Sequence, residues 1–408
     1  MIRSKTLLAL FAIWLPASTF ADAVTDWNSI ALSASSPFAG GNTWTQTRTL
    51  AHVHAAIFDA VNAIDGKYRP YAVDLKAPPG VAIDAMVASA AHTVLIAEAP
   101  SQRAVLDSAL AAALNNVSDS AGKTDGIAFG KQVAEKLLAS RANDGFSNKV
   151  EFKFPAPGLG VWQQTPQFGP MLFYVWGQMQ PMAIKNVKEY DLGGPPALDS
   201  EQFAKDYNEV KSVGARKSST RTADQTAVAV FWTVATMMPW NGAAQSASKA
   251  HNLSVVENAR LFALLNIAAH DAQIVGIEQK ARYNFWRPYN AIRYPGGPGN
   301  SALTGDPSWE PLLNTPGFQD YPSGHCIDSG AALGALLAIF PDDKVNYSHT
   351  WIPAVGVTRS WSSFTQMAKE VEDARVWAGI HYRTADEHGT RMGRKVAEYA
   401  VSNIMQPK

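Results

Sequence analysis

The 408-residue chain has a single cysteine, Cys326, so it can form no internal disulfide, no Cys-x-x-Cys pair and no thiolate metal cluster. Charged residues are also sparse at 17%, against a usual share of roughly 25%. Lys plus Arg number 35 and Asp plus Glu number 35. No global field therefore favours nucleic acid or an anionic membrane, and any anion must be bound by local clustering. The chain lacks a His-Glu-x-x-His helix and a glycine-rich nucleotide loop, which removes the corresponding zinc and nucleotide enzymes. After residue 21 no uncharged apolar run approaches the ~20 residues needed to span a bilayer. Period-2 alternation is scarce, and there is no internal repeat or low-complexity tract.

What is present is material for a large core, because 47% of residues are hydrophobic. A core of that size can stand without disulfides even outside the cytoplasm. Residues 1–21 read as an export signal: Arg3 and Lys5 make a basic start, Thr6 to Leu15 is mostly apolar, and Pro16 breaks the run. Thr19-Phe20-Ala21 offers a cleavage site before Asp22, so the expected mature chain is residues 22–408, secreted or periplasmic, with no membrane span.

Apolar spacing in that chain is mostly helical. Leu50, Val53, His54, Ile57, Val61 and Ile64 share one face, and Gly66 ends the run. Further helices are expected over 83–99, 101–117, 127–142, 200–213, 222–238 and 257–282. The last three are expected over 325–340, 363–380 and 384–401, with Thr384 and Glu387 spaced as a capping box. Residues 144–198 instead hold many prolines and glycines among Phe, Trp and Tyr, the composition of a long wrapping loop that packs. The fold class is therefore all-α, packed helical bundles with one long Pro/Gly/aromatic-rich loop. Its N-terminal helices and loop occupy 22–198, and the chemistry-bearing half occupies 199–408.

Three clusters in that second half carry the chemistry: Lys280 with Arg287-Pro288, then Pro322-Ser323-Gly324-His325, then Arg375 with His381. Guanidinium groups present planar forks of donors to oxyanion oxygens, while Lys is a point charge. A Ser-Gly turn opening a helix adds backbone N–H groups and the positive end of the dipole. Two histidines complete an inventory suited to holding a tetrahedral oxyanion while one imidazole bonds its central atom and the other moves protons. His52, His54, His92, His251, His270, His349 and His388 are scattered and read as structural.

The spacing resembles the superfamily joining type 2 phosphatidic acid phosphatases to vanadium-dependent haloperoxidases, whose motifs are Lys-x6-Arg-Pro, Pro-Ser-Gly-His and Arg-x5-His. Here they read KARYNFWRP from Lys280, YPSGH from Tyr321 and RVWAGIH from Arg375, in the family's order. Trp27-Asn28, HAAIFDAVNAI from His54 and FWRPYNAIR from Phe285 are similar to segments of secreted bacterial haloperoxidase-like proteins. The resemblance implies a vanadate or phosphate site made by Lys280, Arg287, Ser323, Gly324 and Arg375. By the same resemblance His381 bonds vanadium or phosphorus, His325 is the acid–base partner, and Lys280 polarises the bound oxidant. Phe318 matches the fungal chloroperoxidase pattern, and the absence of later spans argues against the integral-membrane lipid phosphatases.

Relatives often carry Asp four residues after the last histidine and Trp three residues before the lysine, whereas this chain has Ala385 and Ile277. Asp386 or a backbone carbonyl is then expected to fix the His381 tautomer. Cys326, beside the acid–base histidine, is an oxidisable group in such a setting. The implied activity is halide oxidation by hydrogen peroxide at a histidine-ligated vanadate, with a small organic acceptor. The alternatives are a secreted acid phosphatase that cleaves phosphate esters through a phosphohistidine, needing no cofactor, and a non-catalytic oxyanion-binding protein.

Overall fold

The computed structural model describes residues 22–36, 39, 42–165, 171–351 and 356–408; the export signal expected over 1–21 lies outside them. The all-α expectation holds. Helix α1 spans Ala23–Ala34, and the Asp22 carboxylate caps it by accepting the Thr25 amide. Asn42 and Thr45 form a capping box at the start of α2, Thr43–Asp65, which Gly66 ends. Helices α3 (Ile83–Glu98), α4 (Arg103–Asn115) and α5 (Ala121–Ser140) complete the N-terminal set. After the long loop come α6 (Glu201–Val213), α7 (Ala223–Phe231) and α8 (Met237–His251). They are followed by α9 (Val255–Tyr283) and α10 (Pro288–Ile292). Helices α11 (Gly324–Ile339), α12 (Phe364–Trp377) and α13 (Arg383–Asn403) close the order.

Helix α9 is the axis of the packing. Its 29 residues are buried on nearly every face, and α2, α11 and α13 all lie against it. One apolar core runs through Leu50, Ile57 and Phe58 of α2, Phe262 and Leu265 of α9, Leu336 of α11 and Val396 of α13. The two halves thus share a core. The wrapping loop packs as its aromatics suggested: the Asp271 carboxylate on α9 accepts the amides of Met182, Ala183 and Ile184 at 2.7, 2.7 and 2.9 Å. Burial raises that carboxyl to about 6 against those three donors.

Several elements differ from the sequence expectation. The run 222–238 is two helices, α7 and α8, because the Trp232 carbonyl accepts Arg375 Nη1 at 2.7 Å instead of continuing a helical ladder. The Thr384–Glu387 capping box does not form. Helix α13 starts one residue earlier, and Asp206 of α6 takes the Thr384 amide at 3.1 Å. A hairpin of β1 (Tyr347–Trp351) and β2 (Val357–Trp361) pairs Tyr347 with Trp361, more and less exposed residues alternating along each strand up to its buried Trp.

Glycines set how closely α11 and α13 approach. A Cβ on Gly393 would strike the Ile327 carbonyl, one on Gly330 the Thr390 carbonyl, and one on Gly334 would lie 2.8 Å from Ala397 Cβ. These helices carry the second and third motifs, so their contact sets the distance between those motifs. Gly393→Ala should lower stability in chemical denaturation by roughly 1–3 kcal/mol, the range for overpacking a tight interior. A change within error would show that the helices can separate freely.

His54 supplies a test in pH. It is buried on α2 beside Asn28 Oδ1 at 2.9 Å, and burial lowers it to about 3. The folded state therefore resists a proton that the unfolded state accepts below about 6.5, so stability is lost as pH falls through that window. Between pH 6.5 and 4.5 wild type should lose up to about 2–3 kcal/mol more than His54→Phe. Parallel pH profiles for the two proteins would contradict this.

Candidate active site

The three motif cations come from three elements and are all buried: Lys280 near the end of α9, Arg287 just before α10, and Arg375 in the last turn of α12. Among the described residues none of the three has a carboxylate within salt-bridge distance. Backbone carbonyls hold them instead. Lys280 Nζ donates to Gln319 O at 2.7 Å, to Asp320 O at 3.0 Å and to Pro322 O. Its three hydrogens are thus spent on the segment leading into the Ser-Gly turn. Arg287 Nε donates to Phe318 O at 2.8 Å and Nη1 to Ile380 O at 2.6 Å, while Nη2 is buried without a partner. Arg375 Nη1 is taken by Trp232 O, and its Nε is likewise buried without a partner. Burial, and for Lys280 also the Arg287 charge, pushes the lysine well below its ordinary value; burial lowers Arg287 to about 10.

The Arg-x5-His spacing has a local cause. At the end of α12 the Gly379 amide donates to Val376 O at 2.9 Å and the Ile380 amide to Arg375 O at 3.4 Å, the paired bonds of a Schellman turn. Gly379 sits at φ +77°, and a Cβ there would strike the Gly214 carbonyl at the end of α6. The turn reverses the chain so that His381 returns beside the Arg287 guanidinium, with Nε2 2.8 Å from Nη1. Its Nδ1 stands 3.1 Å from Asp320 Oδ1, within ion-pair reach but off the line of a well-formed hydrogen bond. Burial and the charges of Arg287, Lys280 and Arg375 hold His381 well below the ordinary histidine range, so it is a neutral imidazole.

His325 lies on the first turn of α11, close to the Trp232 and Val234 carbonyls, with Nε2 buried and unpartnered. Burial and the Arg375 charge keep it neutral as well. Ser323 precedes the helix but does not cap it, and its hydroxyl has no well-formed hydrogen bond. A Cβ on Gly324 would meet only the Trp44 ring, at 3.8 Å, so no protein packing demands glycine there. The open backbone is instead suited to close approach by a ligand. Cys326 donates to Asp386 Oδ1 at 3.3 Å; burial raises both groups well above their ordinary values, which keeps the thiol protonated.

Asp386 thus faces Cys326, and the carboxylate beside His381 is Asp320, contrary to the expectation of Asp386 or a carbonyl. Sequence spacing held no signal for Asp320 beyond its place before Tyr321-Pro322. The aromatic wall also comes from elsewhere than position 277. Trp44 of α2 stacks on Phe173 at 5.1 Å and meets Phe318 edge-on at 6.2 Å, and Ile277 packs into the same cluster. Phe318 in turn lies under Lys280 and Arg287, 5.1 and 5.0 Å from the ring centre. Nothing in the sequence linked Trp44 to residues nearly three hundred positions away.

The structure therefore brings Lys280, Arg287, Ser323, Gly324, His325, Arg375 and His381 into one buried neighbourhood. Among the described residues no group of three or more His, Cys, Asp or Glu could hold a metal cation. The donor set is one for an oxyanion, and vanadate or phosphate fits it. Arg287 Nη2 and Arg375 Nε are buried donors in need of acceptors, the Ser323 hydroxyl lies against the Asp386 carboxyl, and His381 offers a neutral ring nitrogen. A cleft of about 420 Å³ lined by Asp59, Asp65, Asp74, Lys76 and Lys408 contains none of these residues.

Residues 260–407, which include all three motifs, match the family model of the VCPO second helical-bundle domain. Over 83 residues the chain is 41% identical to the vanadium chloroperoxidase of Curvularia inaequalis; the match covers 18% of this chain and only 13% of that protein. Among solved structures, a bacterial vanadium-dependent iodoperoxidase superposes with a TM-score of 0.80 at 23% identity, covering 95% of this chain and 96% of the other. An apo-type bacterial vanadium-dependent chloroperoxidase gives 0.72 at 14% identity, covering 88% and 93%. At such identities the likeness carries the fold: the chain has the helical fold of the bacterial vanadium haloperoxidases.

Gly379→Ala tests how the site is built. A side chain at this left-handed position costs roughly 1–2 kcal/mol before any clash, and the clash with Gly214 shifts His381. The variant should lose oxyanion affinity measured by equilibrium dialysis while keeping its helical circular dichroism. Unchanged affinity would show that the turn does not place His381.

Proposed function

We propose that the chain is an exported vanadium-dependent haloperoxidase that oxidises halide with hydrogen peroxide at a vanadate bound by Lys280, Arg287, Ser323, Gly324, Arg375 and His381. The observation that carries this reading is the set of unpartnered buried donors around the neutral His381 ring. Each such group left unsatisfied costs roughly 1–3 kcal/mol, and an oxyanion with several oxygens relieves them together. When bound, vanadate supplies a Lewis-acidic centre that activates hydrogen peroxide.

The chain's own residues do the rest. Arg287 and Arg375 neutralise the oxyanion with donors that are already fixed, because carbonyls hold their other N–H groups. The Nη1–H of Arg287 now faces His381 Nε2. That Nη1–H could serve an oxyanion oxygen instead, and His381 Nε2 would then hold the central atom of the bound group. The amides at the start of α11 and the dipole of that 16-residue helix add to the field. His325 takes or gives a proton at Nε2. Lys280 braces the Gln319–Pro322 segment through its three carbonyl bonds and must exchange one of them to reach an oxyanion oxygen. Trp44, Phe173 and Phe318 form an apolar wall that keeps water from the halide's approach. Cys326 is shielded from the oxidant by burial and by its bond to Asp386.

Protein stripped of bound oxyanions should gain bromide-oxidising activity when vanadate and peroxide are supplied. His381→Ala should lose more than the roughly 100-fold that removal of a ligand's outer partner causes, while phosphate still binds through the remaining cations. If the wild-type protein instead hydrolyses a phosphomonoester and vanadate blocks that hydrolysis, it is an acid phosphatase. Oxyanion binding without either activity would make it a capture protein.

A further inference from the structure

The geometry points to Asp320 as the positioning residue for His381: its carboxylate accepts a hydrogen bond from Nδ1–H and thereby commits Nε2 to the oxyanion. The Arg287 guanidinium can only donate. Its Nη1 has two hydrogens; one goes to Ile380 O at 2.6 Å and the other faces His381 Nε2 at 2.8 Å. Nε2 must then be the ring's acceptor, and a neutral imidazole must carry its proton on Nδ1. The side chain beside Nδ1 is Asp320, with Oδ1 3.1 Å away, and both groups are buried. Neither Asp320 oxygen has a well-formed hydrogen bond elsewhere; the other donor that approaches the carboxylate is the amide of Tyr382, the residue after His381, so a small rotation brings Oδ1 into line with Nδ1.

The rest of Asp320 is pinned. Its amide donates to Phe285 O at 3.0 Å and its carbonyl accepts Lys280 Nζ at 3.0 Å. The motif lysine therefore holds in place the residue that orients the motif histidine, which gives Lys280 a role even while its donors are spent on carbonyls. A carboxylate on the far nitrogen raises the basicity of the near one and fixes the ring plane. Position 385, where relatives carry their acid, is Ala in this chain, and Asp320 reaches the histidine from another loop.

The consequence for vanadate rests on the function proposed above, whereas the hydrogen bond does not, so the test has two arms. In spectra of protein carrying ¹⁵N-labelled histidine, with His381 assigned by its loss in His381→Gln, Nδ1 should bear a downfield, slowly exchanging proton. Asp320→Ala should move that proton upfield or expose it to exchange. Asp320→Asn, which keeps an acceptor and the same shape, should largely retain it. An identical Nδ1 proton in wild type and Asp320→Ala, or a proton on Nε2 in wild type, overturns the proposal. In the second arm Asp320→Ala should weaken vanadate roughly 10- to 100-fold with a smaller effect on phosphate, and Asp320→Asn should recover part of the loss. Equal weakening of vanadate and phosphate overturns the positioning role. If wild type binds phosphate but no vanadate, the haloperoxidase reading fails, and the proton resonance still decides the role of Asp320.

Discussion

Three cations buried in an apolar core are held in place by carbonyl dipoles, and the rest of the site follows from that choice. A carboxylate partner would have satisfied each charge and cancelled it. Carbonyls of Phe318, Gln319, Asp320, Pro322, Ile380 and Trp232 satisfy geometry while leaving the positive charge uncompensated. The nearest carboxyls, Asp320 and Asp386, form no salt bridge with these cations, and burial raises Asp320 to about 7 and Asp386 well above its ordinary value. Isolated buried charge is expensive, and the oxyanion proposed above would relieve it. The same field, together with burial, keeps His325 and His381 neutral, so that their lone pairs are available.

Supplying those carbonyls explains the departures from regular helix. The break between α7 and α8 exposes Trp232 O to Arg375, and the Schellman turn after α12 presents Ile380 O to Arg287. The irregular segment before α11 gives up the carbonyls of Phe318, Gln319, Asp320 and Pro322. Rigid helices on either side hold these interruptions: α11 and α13 are in glycine-mediated contact, and Arg383 ties α13 to Glu209 of α6 and Asp373 of α12. The N-terminal half contributes Trp44, so the site's wall is built from both halves although its charges come from one.

The motifs were legible because each is local or nearly so. Lys280 and Arg287 flank one helix end, Ser323 to His325 open another, and Arg375 and His381 bracket one turn. Most helix positions follow from apolar period; the short stripe of Val24, Trp27, Ala31 and Leu32, the break between α7 and α8 and the hairpin do not. Asp320 and Trp44 were illegible for a different reason. Their roles depend on which residues of distant segments meet, and neither periodicity nor spacing encodes a contact between α2 and the turn at Gly324. Ala385 was informative in the negative sense: a missing acid indicated that another group had to serve His381, without saying which.

Cys326 gives the protein a clock of its own. It is the chain's sole thiol, it is fully buried on the first turn of α11, and Gly389 of α13 lies against it. A thiol reagent needs the exposed thiolate, so modification can proceed only when α11 lifts from α13. The rate of that one reaction therefore reports how often the second and third motifs part company, and bound oxyanion should slow it by clamping both helices to the same charge.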